Sequence, residues 1–193
     1  MIGKLHRMLE TREISCAELT EKYLSAIENE NANLNAYITV TSEEAKKAGG
    51  LAGIEVIGGM FDDLNIFDGN KAARDKLVDV IKYAQPDFII THNPDDYMPD
   101  HTAVSRLVFD ASFAATLPNY KSRYEKAAAL VPIYYMDTLA GVDFQPTEYV
   151  DISAEIGLKL KMLNCHESQL VWMKEHDGID FADMVKTCSK YRG

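Results

Sequence analysis

The stretch THNPDDYMPDH, residues 91–101, decides the fold because it separates an apolar run from a long amphipathic segment. It packs three aspartates and two histidines into eleven positions. The preceding DFIIT (87–91) predicts a buried strand, and TAVSRLVFDASFAATL (102–117) predicts a helix that begins near Asp100. In α/β proteins, ligands bind where a strand ends in a polar loop that opens a helix. The stretch therefore indicates an α/β fold with a functional site in this loop.

The composition limits the classes of protein to which the chain can belong. Hydrophobic residues make up 47 % of the 193 residues, enough for a core, and the formal net charge is −10. Such a surface lacks the basic patch that nucleic-acid binding needs. No apolar run reaches the roughly 20 residues of a membrane helix, and the charged start MIGKLHRMLETREIS does not fit a signal peptide. The three scattered cysteines indicate neither a disulfide framework nor a zinc knuckle. We expect a cytoplasmic protein that binds neither nucleic acid nor membranes.

Helical and strand patterns alternate along the chain, which predicts an α/β layered fold with a mostly parallel sheet. Helices are predicted from a capping box at Ser15 and Glu18, from Thr41 to Gly49-Gly50, over 71–84, from Asp100, from Ser153 past His166 toward Trp172, and after Asp180. The predicted strands are AYITV (36–40), IEVIG (54–58), DFIIT (87–91), VPIYYM (131–136) and EYVDI (148–152). Because AYITV is polar on one face, we expect it at an edge of the sheet, with the first two helices packed outside.

The loop itself suggests a metal site. His101 lies at the predicted start of a helix, where the helix dipole keeps the imidazole neutral and able to bind a metal. In the alternative interpretation, Asp100 only caps the helix and His101 only fills its first turn. A hydrolytic zinc centre needs about three protein ligands. His92, Asp95 and Asp96 are near in sequence, and so short a loop could turn at most one or two of them inward.

Two separated segments carry a family resemblance. They are PDFIITHNPDDYMPDHTAVSRLVFDASFAATLPNY (86–120) and YVDISAEIGLKLKMLNCHESQ (149–169). In this order they resemble the middle and C-terminal motifs of the PIG-L/LmbE family of zinc-dependent de-N-acetylases, over about residues 50–175. The resemblance implies a Rossmann-like three-layer fold, a zinc ion, and hydrolysis of an acetamide on an amino sugar. It also implies that His101 is a zinc ligand with Asp100 as its orienting neighbour, while Met98 replaces a histidine of the motif.

The N-terminal part departs from that family. Residues 1–50 contain no AHPDDE motif, which would supply two of three zinc ligands and the general base. HNPDD at 92–96 is similar but follows another strand and carries an additional asparagine, so we interpret it as a coincidence. Instead, LETREISCAELTEKYLSAIENENANLNAYITVTSEEAKKA (9–48) closely resembles the opening of the A subunit of glutamyl-tRNA(Gln) amidotransferase, without that enzyme's catalytic region. We expect two segments, 1–48 and 49–193, joined as in a fusion or chimera.

Together these features predict a de-N-acetylase-like hydrolase that is impaired because the first motif is absent. The predicted site residues are Asp100 and His166 as catalytic groups, His101 as metal ligand, and Asp95 and Asp96 as substrate-binding groups. With one matched ligand, we predict weak or absent zinc binding and no measurable deacetylation. The expected partner is a small amino-sugar substrate, and an unpaired sheet edge would favour a homo-oligomer. The alternative is a non-catalytic α/β interaction module, or an artificial chimera with no enzymatic role.

Overall fold

The computed structural model describes residues 42–59, 61 and 65–192, and before them only residues 8, 11, 14, 18, 21, 22 and 25. In chain order the elements are α1 (Ser42–Ala52), α2 (Lys71–Ala84), β1 (Ile89–Thr91), α3 (Pro99–Ala115), β2 (Ile133–Tyr135), α4 (Ile156–Leu163), α5 (Glu167–Asp177) and α6 (Phe181–Arg192). The predicted helix from Ser15 and the strand AYITV lie outside the described residues, so both stay predictions. None of the helices in the described ranges is long and apolar enough to cross a membrane.

Helix α1 runs through the two glycines at which it was expected to stop. It ends at Ala52, and Gly53 follows with φ +67°. The N–H of Ile54 donates to the carbonyl of Gly49 at 3.1 Å, and Gly53 donates to Gly50 at 3.3 Å, as in a Schellman motif. Gly49 serves close packing, because a Cβ there would collide with Cγ2 of Val56. The predicted end at Gly49-Gly50 is therefore wrong by two residues.

Helix α2 has the bounds that the sequence predicts. The side chain of Asn70 accepts hydrogen bonds from the N–H groups of Ala72 and Ala73, at 3.0 and 3.2 Å. This is the side-chain cap that starts a helix. At the other end, Gln85 has the left-handed φ of 45°.

Helix α2 packs against α3. The core between them contains Val78, Ile81, Ala111, Ala114, Ala115 and Ala128. Its many alanines let the two helix backbones approach closely.

The sheet is parallel, as expected, but it is small. Strands β1 and β2 pair with Ile89 opposite Ile133, Ile90 opposite Tyr134 and Thr91 opposite Tyr135. The prediction that DFIIT is buried on both faces is wrong, because Phe88 and Ile90 are 54 % and 57 % exposed while Thr91 is buried. In the described part of the chain, β1 has one neighbouring strand.

Two predicted strands are not strands. IEVIG (54–58) and EYVDI (148–152) make no ladder with any described strand. Their apolar side chains face solvent: Ile54 is 56 % exposed, and Val150 83 %. A strand is stabilised by pairing with another strand. An apolar or alternating sequence pattern does not show whether such a partner is present.

The C-terminal helices differ from the expected single long helix. Helix α4 starts after Glu155 without a side-chain cap, so Ser153 does not cap it. It ends at Leu163, and His166 occupies the N-cap position of the separate helix α5. Ser168 donates its backbone N–H and its hydroxyl to the carboxylate of Glu44, at 3.1 and 2.9 Å. Glu44, in helix α1, thus accepts the free backbone N–H at the start of α5. Capping patterns within neighbouring residues cannot predict a partner so distant in the sequence. The expected last helix, after Asp180, is confirmed as α6.

Candidate metal centre

The loop between β1 and α3 is folded by the side chain of Asp96. Strand β1 ends at Thr91, whose carbonyl accepts a hydrogen bond from the N–H of Met136 at 2.8 Å. His92 follows directly. Further along, Oδ1 of Asp96 accepts the N–H of Met98 at 2.9 Å, which closes a turn of the Asx type just before helix α3. This turn brings the start of α3 back toward the end of β1.

Asp96 also holds His101. Its Oδ2 lies 3.0 Å from Nδ1 of His101, and the side chain of Asp96 is 2 % exposed. Burial raises the pKa of the Asp96 carboxyl, but the Met98 N–H and the His101 ring outweigh it, and the pKa is lowered overall. An ionised carboxylate only accepts hydrogen bonds, so Nδ1 of His101 carries the hydrogen. In the neutral ring, the lone pair is then on Nε2, as in the carboxylate–histidine pairs that bind metals.

His92 stacks on His101. The ring centroids are 4.0 Å apart and the planes differ by 12°. The pKa of His92 is lowered, chiefly by burial and then by the nearby His101. The shift favours the neutral form of His92, which is the form of imidazole that can bind a metal.

Three side chains are close enough together to belong to one metal site, with Asp96 as the partner that orients His101. One ligand atom each from His92, Asp96 and His101 lie within 4.8 Å of one another. Imidazole nitrogen and carboxylate oxygen are ligands that zinc accepts. However, an ion lies in the plane of each imidazole that binds it, and the two rings lie in nearly parallel planes. One ion can therefore use His101 as it stands, whereas His92 would have to rotate its ring to join.

Asp100 does not cap helix α3. Met98 is at the N-cap position, without a side-chain hydrogen bond, and Pro99 begins the helix. The expected cap at Asp100 is thus wrong, because the helix starts two residues earlier than that role requires. Its Oδ1 is buried and has no hydrogen-bond partner among the described residues. A buried carboxylate oxygen of this kind fits a site that takes a cation or a proton. The orienting neighbour of His101 in the structure is Asp96.

Asp95 and His166 do not belong to the group of His92, Asp96 and His101. Asp95 is exposed. His166, at the start of α5, has its Nδ1 4.0 Å from Oε2 of Glu44. In the described part of the chain, no hydrogen bond or ion pair joins His166 to residues 91–101. His92 is not among the site residues that the sequence predicts. Its position directly after a predicted strand is the local pattern that could have identified it.

A cavity of about 560 Å³ opens beside the loop. It is lined by Asp68, Gly69, Pro94, Ser105, Arg106, Phe109, Asp110 and Tyr135. Tyr135 is the last residue of β2, so the cavity lies at the carboxyl end of the sheet, where ligands of parallel α/β folds bind. Two of the lining residues, Arg106 and Asp68, pair with each other at 2.9 Å. The cavity offers aromatic rings together with charged and hydroxyl groups.

Comparison with known proteins decides the family. The model of the PIG-L family, described as GlcNAc-PI de-N-acetylase, matches residues 3–112, more than half of the chain. The chain belongs to the PIG-L family. The match begins before the expected junction near residue 48 and runs across it, so the chimera interpretation has only weak support.

Curated relatives match parts of this PIG-L member. It is 25 % identical over 134 residues to 4-oxalmesaconate hydratase of Pseudomonas putida, covering 66 % of this chain and 52 % of that protein. It is 48 % identical over 46 residues to the A subunit of glutamyl-tRNA(Gln) amidotransferase of a Chelativorans species, covering 24 % of this chain and 9 % of the subunit. The chain thus spans about half of the hydratase and a tenth or less of the subunit. Both resemblances seen in the sequence are confirmed.

Solved structures agree on the fold. The conserved protein TT1542 of Thermus thermophilus matches with a TM-score of 0.60 and 25 % identity, covering 78 % of this chain and 67 % of that one. GalB, the 4-carboxy-2-hydroxymuconate hydratase of Pseudomonas putida, matches with a TM-score of 0.66 and 23 % identity, covering 85 % and 68 %. The Rossmann-like α/β fold of the PIG-L/LmbE proteins is confirmed. The family and its hydratase relatives place the chain in a superfamily of hydrolases and hydratases.

Proposed function

We propose that this chain is a metal-dependent hydrolase that removes N-acetyl groups from amino sugars, impaired by the absence of an AHPDDE motif. One observation carries the proposal: the buried Asp96 orients His101 in a loop whose Pro94 lines a cavity at the carboxyl end of the sheet. The family match supports the same chemistry.

Each residue of the centre has a distinct part in this proposal. A zinc ion would polarise the acetamide carbonyl and lower the pKa of water. His101 would hold it through Nε2, because Asp96 keeps the hydrogen on Nδ1. Asp100, with a buried oxygen that lacks a partner, is placed to accept a proton. His92 can contribute its nitrogen only after its ring turns out of the stack. The centre is therefore less preorganised than a complete set of three ligands, and we expect weak binding.

The substrate would lie in the cavity beside the loop. Phe109 and Tyr135 offer aromatic surface to a sugar ring, while Arg106 and Asp68 offer hydrogen bonds to hydroxyl groups. Both oxygens of Asp96 are already engaged within the protein. Of the two aspartates predicted to bind substrate, Asp95 is therefore the one that we retain, because it is exposed next to Pro94 at the cavity. The proposed catalytic role of His166 rests only on its match to the family motif.

A second candidate is hydration of a small acid. The likeness to 4-oxalmesaconate hydratase favours it, since addition of water also requires a polarised substrate and an activated water.

The test combines metal binding with turnover. Zinc affinity is measured by competition with a chromophoric chelator, and release of acetate from N-acetylglucosamine derivatives is followed in parallel with hydration of 4-oxalmesaconate. The sequence alone predicts no measurable deacetylation, but because His92, Asp96 and His101 lie together we expect slow, zinc-dependent acetate release from the wild type. Release should be lost in His101→Ala, and the zinc affinity of that variant should fall at least tenfold. His176→Ala is the control, because this histidine is 66 % exposed and pairs with Asp177. Hydration without acetate release would favour the second candidate. If none of the three proteins shows either activity and all bind zinc equally, the proposal fails. The alternative, a non-catalytic interaction module, would then be favoured.

A further inference from the structure

The cavity at the carboxyl end of the sheet is formed largely by one side of helix α3. Ser105, Arg106, Phe109 and Asp110 line it, and spacings of three and four residues place side chains next to one another on a helix. Ser105 is 1 % exposed, so the cavity reaches the buried side of α3. Tyr135, at the end of β2, adds a second aromatic ring. The chemistry of the cavity is therefore set mainly by residues of one rigid element.

The positive charge that lines this cavity is already paired. Nη1 of Arg106 donates a hydrogen bond to Oδ2 of Asp68 at 2.9 Å. The pKa of the Asp68 carboxyl is lowered, chiefly by this hydrogen bond, so both partners are ions near pH 7. Among the described residues that line the cavity, Arg106 is the one cation. A carboxylate ligand would therefore have to compete with Asp68 for the guanidinium group.

Asp110 gives the same cavity a negative charge that is not paired. It lies one helical turn after Arg106, at a spacing that allows an ion pair, but Arg106 pairs with Asp68 instead. Asp110 is exposed, and in the described part of the chain its carboxylate has neither a hydrogen bond nor an ion pair. With one arginine against two aspartates, the lining carries a net charge of −1.

We propose that this cavity selects substrates that carry a positive charge, with Asp110 as the specificity-determining residue, and that the substrate is an amino sugar with a free ammonium group besides its acetamide. An ammonium group would donate a charge-assisted hydrogen bond to the carboxylate of Asp110. The aromatic rings of Phe109 and Tyr135 would add cation–π attraction. The choice of an amino sugar rests on the proposed function, whereas the selection by charge is measured without turnover.

The same charges disfavour a carboxylate substrate. A carboxylate in this cavity would be repelled by Asp110, and the lining has no unpaired cation to offset the repulsion. The net charge of −10 also repels anions at longer range. Hydration of a small acid, the second candidate function, would need a cavity of the opposite charge.

The experiment compares three sugars that share one ring and differ in charge. At about pH 7 glucosamine is mostly a cation, N-acetylglucosamine is neutral and glucuronate is an anion. Their dissociation constants are measured by NMR titration of the full chain without added metal. We expect glucosamine to bind about three- to fivefold more tightly than N-acetylglucosamine, the contribution of an exposed ion pair. Glucuronate should bind more weakly than both.

Variants of Asp110 test its role directly. Asp110→Asn should lower the affinity for glucosamine to that for N-acetylglucosamine, and Asp110→Lys should make glucuronate the tightest of the three ligands. N-acetylglucosamine carries no charge, so an unchanged affinity for it shows that a variant keeps the cavity. Asp87→Asn is the matched control, because it removes the same charge from an exposed aspartate that precedes β1, at the end of the strand opposite the cavity. It should leave the order of affinities unchanged.

Several results would overturn the selection by charge. They are equal binding of glucosamine and glucuronate by the wild type, absence of binding by all three sugars, a preference that survives in Asp110→Asn, and a preference that is also lost in Asp87→Asn. Acetate release without any preference for charge would overturn the selection and leave the proposed function standing. The expected order of affinities without acetate release from any amino sugar would support the selection and overturn the proposed function.

Discussion

Replacing Asp96 by asparagine should lower the free energy of unfolding by about 1.5–3 kcal/mol, the contribution of a hydrogen bond to a charged group. The carboxylate is 2 % exposed and serves two donors, the N–H of Met98 at 2.9 Å and Nδ1 of His101 at 3.0 Å. Asparagine has the same shape but one acceptor oxygen. If that oxygen keeps the hydrogen bond from Met98, the amide NH₂ faces the Nδ1–H of His101. Both groups are donors, so the second hydrogen bond is lost.

The same change should alter the tautomer of His101. With no acceptor opposite Nδ1, the ring is free to move its hydrogen to Nε2, where the lone pair for a metal would otherwise be. For a chain of this size, about 2–4 °C of melting temperature is lost per kcal/mol, so we expect a fall of roughly 3–12 °C. Loss of an outer-shell partner also weakens metal binding about 10–100-fold.

Three measurements check this prediction: denaturation by urea, the ¹⁵N chemical shifts of the His101 ring, and zinc competition. Asp95→Asn is a matched control, because it makes the same chemical change one residue earlier on an exposed side chain. Its stability should stay within about 0.5 kcal/mol of the wild type. If the two variants are equally stable, or if the His101 hydrogen stays on Nδ1 in Asp96→Asn, Asp96 does not orient His101 and the reasoning fails.

Three further predictions concern stability. Leu107→Ala should cost about 2–5 kcal/mol in urea denaturation, because Leu107 is 1 % exposed; a cost below about 1 kcal/mol would contradict its place in the core. Burial raises the pKa of the Asp75 carboxyl, but Lys71 and Tyr120 outweigh it and the pKa is lowered. Its stabilisation is then complete above the unfolded pKa of about 3.9 and is lost as pH falls through the lower folded value. Stability should therefore fall less steeply in acid for Asp75→Asn than for the wild type, and an unchanged slope would refute this. Ser168→Ala removes a 2.9 Å hydrogen bond to Glu44 and should cost about 1 kcal/mol by thermal denaturation, whereas an unchanged melting temperature would show that the contact does not stabilise α5.

Local sequence was sufficient for several elements. Helix α2 has its asparagine cap and its predicted bounds, 71–84, because capping and apolar spacing are properties of neighbouring residues. DFIIT and VPIYYM each contain a strand, and α6 begins after Asp180 as expected. The prediction that His101 is a metal ligand also uses a local pattern, a histidine in the first turn of a helix after a strand, and it stays a prediction.

The tertiary structure decided which groups meet. Three carboxylates lie within six residues of His101, and the Asx turn of the loop brings Asp96, not Asp100, to its ring. The stacking of His92 depends on the position of α3 relative to β1, over nine residues of chain. IEVIG and EYVDI have strand-like sequences but no partner strand among the described residues, and pairing is a property of two segments rather than one. Periodicity and caps are encoded by near neighbours, whereas hydrogen-bond partners and burial depend on where distant segments pack.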